Sequence, residues 1–286
     1  FSSFDRNRPS DKTDAARLAA LTSDIRKASL FDPLNAKYYY ASGLIERRLG
    51  NADASVTLLD YAATLDPMNG EYLQRLGLSL FEKGRTEAGE RLIRAATIHD
   101  AANPDRQRFY AVHLFMTGKK EAAAECVRRA LLRAPDRAAD FILLMMLRGM
   151  TDDEIHKTLP DLAAPHIAFA EYLAQTNKHA AAEQAFREAL GHAAKERSTS
   201  RNYFLRAYNY YVKRERFDDA LWTMKQAIIL FPNEGSLYYT VGTLYERLGM
   251  DTTAIDAYKK SVSLDVTQAD AQKRMEVLMR KTGKRD

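Results

Sequence analysis

The sequence predicts an all-α chain, a solenoid in which short antiparallel helix pairs stack side by side. Three observations carry this expectation. The stretch YYYASGLIERRLGN (Tyr38 to Asn51) returns 199 residues later as LYYTVGTLYERLGM (Leu237 to Met250), its aromatic residues and two glycines in the same order. Between these two stretches, small and bulky side chains recur with a period of 34 residues, a spacing that signals one supersecondary unit repeated many times. Glycine near position 15 and proline near position 32 of the unit then mark where each helix stops.

The unit that begins at Ala36 has Tyr39 at position 4, Gly43 at 8, Gly50 at 15, Leu59 at 24, Ala62 at 27 and Pro67 at 32. The next, from Gly70, puts Leu73, Gly77, Gly84, Ile93 and Ala96 in the corresponding places. A third, from Pro104, carries Ala111, Leu114, Gly118, Ala123, Val127, Ala130 and Pro135. Small residues at positions 8, 20 and 27 let the two helices of a unit approach, and large ones at 4, 11 and 24 fill the gaps beside them. Proline in LDPMN (Leu65 to Asn69) and ILFPN (Ile229 to Asn233) ends the second helix before the next unit.

The period breaks twice. From Ala138 a degenerate unit keeps its first helix, FILLMMLRGM, but TDDEIHKTLP leaves room only for a short second one before Pro160. The next unit restarts at Ala163, with Ala170, Leu173, Ala182, Phe186 and Ala189 in phase. HAAKERSTS (His192 to Ser200) then lengthens the interval, and a unit from Arg201 follows with Phe204, Tyr208, Tyr211, Ala220, Met224 and Ala227. The last full unit, from Gly235, has Tyr238, Gly242, Tyr245, Gly249, Ala254 and Tyr258. Residues 11–31 read as a lone second helix with an uncovered apolar face, preceded by a polar linker over 1–10. The solenoid is thus expected over 11–268, about six repeats and a partial one. Residues 269–286 alternate charged and apolar positions, as a terminal capping helix and tail should.

The pattern resembles the tetratricopeptide repeat. That resemblance implies a right-handed superhelix whose first helices line a concave groove through positions 2, 5, 9 and 12. Carried onto this chain, the groove candidates are Lys37, Tyr40 and Arg47, then Gln74 and Phe81, then Arg108 and Phe115, then Asn209, and finally Tyr239 and Glu246. Aromatic, amide and arginine groups together suit an extended peptide or an amphipathic helix. At position 9, Leu44, Leu78 and Val112 either face the groove or are buried by neighbouring helices. Repeat proteins of this kind that bind chaperone tails clamp a terminal carboxylate with Lys at position 5 and Asn at 9. Tyr40 and Leu44 stand there in the first full unit, and Leu205 accompanies Asn209, so the clamp is absent.

Composition narrows the function further. Basic and acidic residues are interspersed behind a net charge of +5, which describes a solvated surface and not a nucleic-acid footprint. The single cysteine, Cys126, excludes an internal disulfide and a cysteine zinc cage. No phosphate-cradling glycine loop, Gly-x-Ser-x-Gly elbow or His-Glu-x-x-His helix is present. The six histidines are scattered, at 99, 113, 156, 166, 179 and 192. His179 and Glu183, one turn apart, lack further ligands and read as exposed residues at the start of a helix. In TDDEIH (Thr151 to His156) an N-cap followed by three acids facing the helix dipole accounts for the carboxylates without acid–base chemistry. Cys126 and Trp222 read as packing residues.

The expected function is therefore a non-catalytic scaffold for a protein or peptide partner, with no cofactor and no metal. Two further expectations stand beside it. DPLNAKYYYASGLIER (Asp32 to Arg47) and LPDLAAPHIAFAEYLAQ (Leu159 to Gln175) are similar to the soluble C-terminal part of bacterial membrane proteins that polymerise or ligate O-antigen-type polysaccharide. This implies an upstream tether to the inner membrane and a role in organising glycan-assembly partners; Phe1 in place of Met points the same way. Direct glycan binding would use Tyr40, Phe115 and Tyr239 as stacking platforms. Self-association through the uncovered first helix is also expected.

Overall fold

The computed structural model describes residues 12–196 and 199–283, so the expected linker over 1–10 and the end of the tail at 284–286 lie outside the described residues. Sixteen α-helices and no strand occur among the described residues. The chain divides into two compact units at Ala134 and Pro135.

Unit 1 contains α1 (Lys12–Phe31), α2 (Ala36–Leu49), α3 (Ala52–Leu65), α4 (Gly70–Glu82), α5 (Thr86–His99), α6 (Pro104–Met116) and α7 (Lys120–Arg133). The helices pack as the pairs α2–α3, α4–α5 and α6–α7, with α1 against α2. A repeated local device starts the first helix of each pair. Asn35, Asn69 and Asn103 each accept a backbone N–H from two residues ahead. Each also donates its side-chain amide to an aspartate three residues behind, Asp32, Asp66 or Asp100, at 2.9–3.1 Å. One side chain thereby satisfies an orphan helix donor and pins the incoming turn.

The glycines at position 8 explain why the helices of a pair sit so close. A Cβ built on Gly43 would lie 2.8 Å from Leu59 Cγ, and one on Gly77 would lie 2.8 Å from the Gly89 carbonyl oxygen. Both are closer than real Cβ contacts allow. Around these crossings Leu59, Ala62, Tyr72, Leu73, Leu76 and Ala96 form the core of the first pairs. At the far end of α1, Leu30, Phe31 and Leu34 are strongly exposed.

Unit 2 opens with a 3-10 turn (Pro135–Arg137). It continues through α8 (Ala138–Leu147), α9 (Asp152–Thr158), α10 (Ala163–Gln175), α11 (His179–Ala193), α12 (Arg201–Lys213), α13 (Phe217–Leu230), α14 (Gly235–Arg247), α15 (Asp251–Leu264) and α16 (Ala269–Thr282). Here too Gly242 meets its pair at close quarters: its Cβ would lie 2.6 Å from the Tyr258 ring. Ala271, Met275 and Leu278 of α16 are buried against α15, while Lys273, Arg274, Glu276 and Arg280 are exposed.

Helix α9 has only seven residues. Thr151 starts it with a reciprocal capping box to Glu154. Extended backbone at Leu159 ends it, as the following Pro160 requires. Helix α10 comes next and is the most enclosed in the unit, with every residue from Ala163 to Ala170 buried among α8, α11 and α12.

Candidate functional site

In unit 1 most of the groove candidates on the first helices are tied to residues of the next repeat. The Tyr40 hydroxyl donates to Glu71 Oε1 at 2.6 Å, and its ring packs on Tyr72 with centroids 4.6 Å apart. Burial first, and then the Glu71 carboxylate, push that phenol up to about 12. Arg47 grips the Glu82 carboxylate with both Nε and Nη2. Gln74 is buried, and its Oε1 accepts from Arg106 Nη1 at 2.5 Å, while Arg106 Nε also donates to Asp100 at 3.0 Å. Phe81 stands edge-on to His113 at 4.6 Å. These contacts join residues roughly one repeat apart, so they hold successive pairs in register.

What this face leaves open is narrower than the sequence suggests. Lys37 and Arg108 are exposed, and Phe81 and Phe115 keep part of their rings in solvent. Leu44, Leu78 and Val112 are each half-buried, so neighbouring helices do not enclose position 9 completely.

In unit 2 Asn209 is exposed on α12. Tyr239 packs on Tyr258 at 5.8 Å. Glu246 accepts from the Tyr258 hydroxyl at 2.7 Å and from Arg274 Nη1 at 2.9 Å, which links α14, α15 and α16. Glu183, the possible partner of His179, instead receives Arg216 at 3.0 and 3.1 Å. Trp222, expected to pack between units of the repeat, leaves 42% of its surface exposed. Cys126 is buried, and burial raises its thiol to about 11, so it is not a thiolate near neutral pH.

A cluster that the sequence reading missed lies around Glu188 of α11. Glu188 Oε2 is 2.8 Å from Nε2 of His156 on α9, and Oε1 is 3.8 Å from Nδ1 of His166 on α10. His192 Nε2, one turn further along α11, stands 3.9 Å from the same Oε1. His166 is 3% exposed, and neither of its ring nitrogens has a hydrogen-bond partner. Burial dominates over the nearby carboxylates and holds its imidazole well below the usual range, at about 4, so the ring is neutral near pH 7. A cavity of about 130 Å³ opens beside His156 and Glu188, walled by Phe169 and Gln184. The local signal in the sequence was Glu188 and His192 at helical spacing; the other two histidines join them only because α9 is cut short.

Two segments of the chain match family models. Residues 75–141 match one described as tetratricopeptide repeat, and residues 235–265 match a second with the same description. Over these two segments the chain is similar to tetratricopeptide repeats. The first covers the α4–α5 crossing at Gly77, and the second covers that of α14–α15 at Gly242. Among solved structures, the chain is similar to the APC/C hetero-tetramer Cut9-Hcn1 at 13% identity, over 93% of this chain and 46% of that one, with a TM-score of 0.38. It is also similar to yeast Tom70 at 13% identity, over 96% and 62%, with a TM-score of 0.39. MamA protein matches at 16% identity over 82% and 94%, with a TM-score of 0.32. The chain spans less than two thirds of the first two. No curated protein matches it, and the resemblance to O-antigen polymerases and ligases gains no support from these comparisons. Among the described residues no helix is long and apolar enough to cross a membrane.

Proposed function

We propose that the chain is a non-catalytic interaction scaffold, and that α2, α4 and α6 of its tetratricopeptide-repeat region receive a protein segment. One observation carries this reading. Leu44, Leu78 and Val112, with Phe81 and Phe115, remain partly exposed at equivalent positions of three successive first helices. The polar candidates on the same helices, Tyr40, Arg47 and Gln74, are already engaged with the neighbouring repeat. A row of apolar groups that stacking does not cover is the kind of surface an amphipathic helix or extended segment buries. Lys37 and Arg108 are exposed on two of these helices and favour a partner with acidic groups beside its apolar anchors. In unit 2 only Asn209 among the candidates is exposed, which favours unit 1 for the main contact.

Selection of peptides from a random display library with the full chain, followed by calorimetric titration, tests this. Enriched peptides should pair apolar anchors with acidic residues. Arg108→Glu and Phe115→Ala should each weaken them by about tenfold, a loss typical of a contributing interface residue, with circular dichroism unchanged. Peptides that bind both variants as tightly as the parent chain, or no enrichment at all, would contradict the reading.

A further inference from the structure

We propose that His156, His166 and Glu188 form a binding site for a divalent transition-metal ion of the zinc class, where α9 gives way to α10. The three residues come from three helices, and their ligand atoms all lie within 4.8 Å of one another. Two imidazoles and one carboxylate are a donor set that zinc accepts, with a fourth position left for water or another ligand.

The distances fit with small adjustments. Ligands held about 2.1 Å from a tetrahedral ion stand about 3.4 Å apart. The 2.8 Å contact of His156 is with Oε2 of Glu188 and the 3.8 Å gap to His166 is from Oε1, so a turn of the carboxylate would have to present one oxygen to the ion between the two imidazoles. His156 and Glu188 are half-buried and have room to turn. His166 is fixed by the packing of α10.

His166 supplies an independent reason to expect a ligand. A buried imidazole with both nitrogens unpartnered has lost its water and gained nothing in exchange. An ion on one nitrogen removes that penalty. Asp161 and His192 lie within 4.8 Å of a ligand atom of the same ring. Neither hydrogen-bonds the ring here; once an ion fixes one nitrogen, they are the nearby groups able to turn and hold the other, as metal-bound imidazoles are commonly held. The cavity lined by His156 and Glu188, which does not reach His166, leaves space beside those two ligands for a fourth. The histidines must bind in their neutral form, so any proton shared by His156 and Glu188 leaves to solvent as the ion enters. The bound ion would staple the shortest helix of unit 2 to α10 and α11, in the repeat that has lost half of its second helix.

Calorimetric titration of the untagged, metal-free full chain with Zn²⁺ tests the proposal, and the visible absorption of Co²⁺ reports the coordination geometry. The expected result is a single ion per chain, a tetrahedral cobalt spectrum and a higher melting temperature with zinc. His156→Ala and Glu188→Gln, both at partly exposed positions, should keep the helical circular dichroism. Each should weaken binding by more than about a hundredfold, whereas His192→Ala and Asp161→Asn, acting only through His166, should cost about tenfold. Absence of zinc binding by the parent chain would overturn the proposal. So would tight binding that survives His156→Ala and Glu188→Gln but is abolished by His192→Ala and Asp161→Asn, since the ion would then sit with His166 between those two residues.

Discussion

Gly77 on α4 and Gly89 on α5 meet backbone to backbone. A methyl group on Gly77 would stand 2.8 Å from the Gly89 carbonyl oxygen, and one on Gly89 would stand 2.6 Å from the carbonyl oxygen of Gly77. At the equivalent position of two other pairs the glycine faces mainly a side chain, Leu59 for Gly43 and Tyr258 for Gly242, which can yield by a rotation. At the α4–α5 crossing the Ile93 side chain also stands 2.8 Å from the added Gly77 carbon, but the two carbonyl oxygens belong to main chain, which cannot move aside without breaking helix hydrogen bonds. A methyl group at this crossing therefore forces the two helices apart.

Glu215 should be a stabilising target. It takes a left-handed φ of 59° after α12, where the equivalent turn after α4 has Gly84 at 76°. The turn closes in the same way, with Arg216 N–H donating to the Tyr211 carbonyl as Arg85 N–H donates to that of Leu80. A non-glycine residue is strained in that region, so Glu215→Gly should raise unfolding stability by about 1 kcal/mol, read as a shift in the urea midpoint. No gain would mean that the strain is absent.

The asparagine caps should be individually costly to remove. Asn69 accepts from the backbone N–H groups of Glu71 and Tyr72 at 3.1 and 3.4 Å while donating to Asp66 at 3.0 Å. Asn69→Ala should lower stability by about 1–2 kcal/mol, and Asn69→Ser should recover part of this because serine still caps. Equal losses for both would place the effect in the Asp66 contact.

Stability should fall on mild acidification, in part through His113. Burial holds its imidazole below the ordinary 6.5; Lys119 adds to the effect and Glu90, 4.0 Å away, opposes it. The unfolded chain therefore takes up this proton at a higher pH than the native protein does. As pH drops below about 6.5 the unfolded state gains protons that the folded state cannot, so stability declines until the native imidazole itself titrates. His113→Gln should make the decline shallower, as measured by urea unfolding from about pH 7 to pH 5. An unchanged slope would exclude His113 as a contributor.

The fold class was legible because stacking constrains residue size more than residue chemistry. Gly43, Gly77 and Gly242 recur where helices nearly touch, and each leaves a mark in a single sequence. Asn177 and Glu215 were not legible as helix terminators, because their left-handed turns lack the glycine that marks the others. The binding face was only partly readable. Resemblance placed Tyr40, Arg47 and Gln74 in a groove, but Glu71, Glu82 and Arg106 on the next repeat engage them, and a partner more than thirty residues away has no local signal. The histidine cluster was hidden for a related reason. Thr151 and its acids accounted for TDDEIH as a cap, and nothing local to His156 says that a seven-residue helix will set it against Glu188.

The most direct test of helix pairs held at glycine crossings compares two single methyl groups. In Gly77→Ala the added carbon meets the Gly89 carbonyl oxygen, whereas in Gly191→Ala, on the exposed side of α11, it meets nothing within 4 Å. Urea unfolding of the two variants should show a loss of about 2–3 kcal/mol for the first and a gain of up to about 1 kcal/mol for the second. Equal stability in the two proteins would contradict the account.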